Sequence, residues 1–106
     1  MLSSTDRITA MQLKQRLQQT TSLLALWVYG SRARGDATPE SDLDVFIELE
    51  TVTPILRRQI SEIVWQVGFD YERVISTVVA TRDQLESGPL GATALVSAIW
   101  REGVQI

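Results

Sequence analysis

Two aspartates two positions apart, Asp42 and Asp44, and a glycine–serine pair upstream of them, Gly30-Ser31, are suited to hold a cation and a phosphate. On an extended strand Asp42 and Asp44 leave the same face with backbones about 6–7 Å apart. Two carboxylates that close repel each other, and without a cation one of them tends to keep its proton. A divalent ion reverses that penalty, and Mg²⁺ suits the pair because it takes oxygen ligands and is typically held by one or two carboxylates plus substrate phosphates. Gly30 follows an apolar run directly, which lets the backbone come close to a ligand. Ser31 can offer its N–H and hydroxyl at the start of a helical turn, where phosphate is favoured. Arg32 and Arg34 add two cations with the planar fork of donors that suits phosphate. Taken singly, each feature has a bland reading: the acids decorate the exposed start of an edge strand, and the glycine is a turn. No Lys-Ser or Lys-Thr follows a second glycine at the spacing of a Walker loop.

Periodicity along the chain outlines the scaffold around these residues. Residues 6–20 read as a helix capped by Thr5 or Asp6, with Ile8, Met11, Leu13 and Leu17 as its apolar stripe. Leu23 to Tyr29 is a continuous apolar run of strand length, as expected of a strand covered on both faces. A turn and one or two helical turns fill residues 31–40, and residues 42–50 form a second strand. Its alternation puts Asp42, Asp44, Phe46 and Glu48 on one face and Leu43, Val45, Ile47 and Leu49 on the other. Thr53-Pro54 starts a helix carrying Leu56, Ile60, Ile63 and Val67 at helical spacing, which Gly68 is expected to end. Residues 73–80, β-branched and apolar, form a third strand, parallel to the second if the two are adjacent. One capped helical turn over 81–86, a break at Ser87-Gly88-Pro89, and a helix over 92–101 with Leu95, Ala98 and Ile99 inward complete the chain. Trp65 and Trp100 read first as core aromatics and second as partner contacts. The order specifies a small α/β domain, a mixed sheet of about three strands flanked by helices, with residues 1–106 forming one domain.

Composition narrows the chemistry. The chain has 106 residues, 44% of them hydrophobic and 22% charged, enough for one core. It has no cysteine and no histidine, which removes thiolate metal sites, the usual general base and most zinc chemistry. The net charge of −3 argues against a polynucleotide as the main partner, and a small nucleotide carrying magnesium fits better. Neither a secretory leader nor a membrane-length apolar run is present, so a cytoplasmic protein without a membrane partner is expected.

In combination the motifs are far more specific. Gly30-Ser31, Arg34-Gly35 and Ser41-Asp42-Leu43-Asp44 together resemble the signature of the minimal nucleotidyltransferases, small members of the DNA polymerase beta-like nucleotidyltransferase superfamily. The likeness runs along the chain to Arg101-Glu102-Gly103-Val104. It implies the nucleotidyltransferase fold, with Gly30 and Ser31 on the nucleotide's phosphates, Asp42 and Asp44 as catalytic metal ligands for Mg²⁺, and Arg34 as a phosphate contact. It further implies transfer of a nucleoside monophosphate, AMP from ATP or the equivalent from another NTP, to a hydroxyl. Members of this family are similar to antitoxins paired with a helical HEPN protein, whose tyrosine is the acceptor.

One departure stands out. Active relatives usually carry a third carboxylate on the third strand, and Val74 to Val79 has none. Asp70 and Glu72 lie just before it, and Glu72 is the candidate third metal ligand. Glu48 shares the face of Asp44 but lies roughly 13 Å along the strand, too far to share an ion. Two expectations of different class follow: a Mg²⁺-dependent transferase, or a module of the same fold that has lost most catalysis and regulates a partner by contact.

Overall fold

The computed structural model describes residues 2–106. Helix α1 (Ser4–Thr20) leads into β1 (Leu23–Tyr29), the short helix α2 (Gly30–Arg34) and β2 (Leu43–Leu49). Helix α3 (Pro54–Asp70), β3 (Ile75–Thr81), α4 (Arg82–Ser87), a 3₁₀ turn (Pro89–Ala92), α5 (Ala94–Glu102) and β4 (Val104–Gln105) follow. The strands form one mixed sheet in the order β3-β2-β1-β4, in which β1 is antiparallel to both β2 and β4 while β2 and β3 run parallel. Among the described residues the sheet thus has four strands rather than about three. Its last member is two residues long and too short to leave a period of its own, and it is fixed by pairing with Trp27 and Val28.

The alternation along β2 divides the interior as expected. Leu43, Val45, Ile47 and Leu49 point into the larger core with Leu26 and Val28 of β1, Leu13 and Leu17 of α1, and Ile60, Val64 and Val67 of α3. Phe46 lies on the opposite face in a smaller cluster with Ala80 and Ile99, against which Trp27, Tyr29, Val78, Leu85 and Leu90 pack. Asp44 shares this second face.

Several local expectations are corrected by long-range contacts. Helix α1 is capped by Ser3, whose hydroxyl accepts from the Asp6 amide at 3.1 Å, and not by Thr5 or Asp6. Its buried stripe is Asp6, Thr9, Ala10, Leu13 and Leu17, whereas Ile8 and Met11 are exposed. Helix α3 starts as expected, with Thr53 accepting from the Leu56 amide at 3.1 Å and Pro54 in the first turn. It runs past Gly68 to Asp70. Gly68 serves instead to admit the returning chain, since a Cβ there would stand 2.7 Å from the Arg73 carbonyl oxygen. Strand β3 begins at Ile75, not Arg73, and α5 begins at Ala94 and buries Val96 and Ile99 while Leu95 faces water. Thr81 and Gln84 form a reciprocal capping box at the start of α4.

Candidate active site

The turn from β1 into α2 and the entry to β2 meet at one end of the sheet. Antiparallel pairing sets Tyr29 opposite Asp44, so Gly30 is delivered to the Asp44 side chain. Gly30 has φ +75°, the left-handed region, and a Cβ on it would stand 2.4 Å from Asp44 Oδ2. Conformation and space therefore both require glycine. No side chain caps α2. The amides of its first turn, Ser31 included, have no intrahelical acceptor and suit an anion.

Asp44 is partly buried as the second residue of β2, while Asp42 lies just outside the strand and is exposed, a correction to the strand start expected from sequence. Burial pushes the Asp44 carboxyl above its usual range, the charge of Asp42 pushes it the same way, and Arg34 offsets part of this. Burial, with the Asp44 charge adding to it, likewise raises the Tyr29 hydroxyl. Two acids that oppose each other's ionisation, beside a backbone cradle too tight for a side chain, are the donor set a hard cation relieves.

The two arginines divide. Arg34 is half-exposed, ion-paired with Asp36 at 3.3 Å and Glu102 at 3.6 Å, and close enough to act on the charge of Asp44. Arg32 is engaged with the chain itself. Its Nε and Nη2 donate to the Ser41 carbonyl at 3.0 and 2.7 Å, and Nη2 also reaches the carbonyls of Thr38 and Pro39 at 3.4 Å. Its Nη1 donates to both carboxylate oxygens of Asp6, at 3.3 and 3.4 Å. Arg73 donates to Asp6 as well. Arg32 therefore ties the loop that delivers Asp42 to a buried anchor on α1.

Sequence reasoning missed this cluster, although a signal existed. Asp6 stands in helical phase with Ala10, Leu13 and Leu17, so a carboxylate sits on the face that must be buried.

Glu72 is not brought to the pair. It lies exposed between α3 and β3, with φ 55°, and among the described residues no three acidic, histidine or cysteine side chains gather where they could hold a metal ion. Asp70 is bonded to Arg16 at 3.0 Å and to Gln66 at 2.9 Å, and Glu48 to Arg82 at 3.2 Å. The residue in register with Asp44 on the neighbouring parallel strand is Ser76, which is exposed.

Comparison with known proteins bears on the fold and the family. Among solved structures, a toxin–antitoxin complex with AMP-PNP superposes with a TM-score of 0.59 at 18% identity, covering 88% of this chain and 68% of that one. A mutant MntA–HpeT toxin–antitoxin complex gives 0.57 at 15% identity, covering 87% and 68%. A candidate nucleotidyltransferase from Sulfolobus solfataricus gives 0.53 at 16% identity, covering 97% and 86%. At these identities the likeness is one of fold. No curated protein sequence matches the chain. The model of the nucleotidyltransferase domain matches residues 10–102. It runs through the Gly30-Ser31 turn, the carboxylate pair and three of the four strands, and the chain belongs to the nucleotidyltransferase domain family.

Proposed function

We propose that this protein transfers a nucleoside monophosphate, AMP from ATP, to a hydroxyl, and that the acceptor is a tyrosine of a helical HEPN-type partner whose toxicity the transfer neutralises. The single observation that supports this reading is the packing of the Gly30 backbone against Asp44, which brings the Gly30-Ser31 turn close to the carboxylates. Gly30 and Ser31 receive the triphosphate, Arg34 offsets its charge, and Asp42 with Asp44 are the residues that would hold Mg²⁺. When bound there, the ion supplies charge neutralisation and activation of the attacking hydroxyl, which a chain without histidine needs. The acceptor hydroxyl gives its proton to solvent water, its oxygen bonds to the α-phosphorus, the α–β bridge breaks, and pyrophosphate leaves with the electron pair. The likeness in fold to toxin–antitoxin complexes, one of them holding AMP-PNP, supports a nucleotide and a protein partner. A reducing cytoplasm suits such a pair.

Ser76 beside Asp44 favours a second reading, a module of the same fold that catalyses weakly and controls its partner by contact. Both are separated by incubating the protein with each labelled NTP, Mg²⁺ and a HEPN-type partner, beside Asp42→Asn. Label on the partner that is lost in the variant supports transfer. Tight partner binding without label, equal in the variant, establishes the contact module instead.

A further inference from the structure

The solvent side of α3 carries apolar side chains that no core explains. Ile55 is 68% exposed, Trp65 67% and Phe69 68%, and the two aromatic rings stack on each other with centroids 5.5 Å apart. Between Ile55 and Trp65, in the same helical phase, stand Arg58 and Glu62, both exposed and without an ion pair among the described residues. The order along the stripe is apolar, cation, anion, apolar, with the two halves equally spaced about the level of Ile60.

From this arrangement we infer that the protein associates with a second copy of itself through α3, the two helices packing antiparallel about a two-fold axis at the level of Ile60. An antiparallel two-fold at that point brings Ile55 of each copy to Trp65 of the other and Arg58 to Glu62, so each element of the stripe meets its complement. Phe69 reaches the turn that precedes the other copy's helix. Such self-complementarity is what an isologous interface demands. The area agrees: two aromatic side chains and one isoleucine, each about two-thirds exposed, offer on the order of 300 Å² per copy. Two copies thus contribute roughly half of the ~1,200 Å² that small stable interfaces bury in total, close to the apolar share of such interfaces. Helix α3 covers the sheet face opposite Asp44, so both carboxylate pairs of the dimer stay open to their substrates.

The test is sedimentation equilibrium of the full chain across the micromolar range, with circular dichroism to verify that each variant is folded. The wild type is expected to be a dimer in reversible exchange with monomer. Arg58→Glu and Glu62→Arg each place like charges at both symmetry-related contacts and should weaken self-association at least about tenfold, while Trp65→Ala should weaken it about thirtyfold. The two charge variants mixed together should form a heterodimer, since an acid of one copy then faces a base of the other at both contacts. The double variant restores the same complementarity within one chain and should dimerise alone. A wild type that stays monomeric overturns the inference, and overturns it equally if it instead binds a helical protein through Trp65. A dimer that survives all three single substitutions lies on another surface, such as the open edge of β3, and also overturns it. Failure of the mixed variants to associate has the same consequence.

Discussion

Asp6 and Asp44 are both carboxylates withdrawn from bulk water, and their surroundings are opposite. Asp6 is 3% exposed and faces two guanidiniums, those of Arg32 and Arg73, with the Ser3 hydroxyl bonded to its amide. Burial pushes its carboxyl up, but hydrogen bonds from Arg73 and Ser3 and the charges of Arg73 and Arg32 outweigh that and leave it below the usual range. Asp44 faces another acid, and burial and that acid together raise it. On the reading proposed above, the compensated carboxylate serves structure and the uncompensated one a ligand: Asp6 fixes the scaffold through Arg32, while Asp42 and Asp44 lie together without a cation that fully offsets them.

The strongest way to break this contrast is to neutralise Asp44. Asp44→Asn should lower the proposed nucleotidyl transfer by about a thousandfold or more, because the proposed Mg²⁺ ligand is lost, while the ligand-free fold gains about 0.5–1 kcal/mol as in other sites relieved of functional strain. Chemical denaturation alongside the transfer assay reads both, and a loss of stability would show that the carboxylate is structural. Asp6→Ala should do the reverse. It leaves two partly buried guanidiniums without their anion and should cost roughly 3 kcal/mol, visible as a fall in the urea midpoint, whereas a variant as stable as the wild type would refute the anchoring role. Ser76→Asp sharpens the comparison by adding a carboxylate where register puts it beside Asp44. Transfer should rise about tenfold, measured as label incorporated at saturating Mg²⁺, and an unchanged rate would mean that two acids suffice.

The smallest effect is the pH dependence of stability without ligand. Asp44 binds its proton more readily folded than unfolded, so acidification through its raised pKa adds stability before the ordinary value of 3.8 is reached. Asp6 binds its proton less readily folded, so its contribution is present above 3.8 and is lost as pH falls below that value. Urea titrations in steps of pH should therefore show a shallow rise and then a fall, with the rise absent in Asp44→Asn and the fall reduced in Asp6→Asn.

Much of this site was legible in the sequence because its parts are local. Period-two alternation put Asp44 and Phe46 on one face of β2, and Thr53-Pro54 marked the start of α3 by cap chemistry alone. The Gly30-Ser31 turn and the aspartate pair were visible as residue types at short spacing. Arg32 read only as one of two cations near the turn, because nothing within ten residues shows that its partner is Asp6, 26 positions away. Trp65, read first as core, faces water because the phase of α3 is set by Ile60, Val64 and Val67, which leaves Trp65 outside that stripe.

Residue order alone was enough for the first three strands, the start of α3, the Gly30-Ser31 turn and the acid pair, since each depends on dihedral preference or side-chain period over a few residues. It took the folded chain to bring Arg32 and Arg73 together on Asp6, to keep Glu72 away from the aspartates, and to stand Ser76 beside Asp44. Those outcomes follow from sheet register and helix docking between segments distant in the chain, where packing across the whole core, and no local preference, selects which side chains meet.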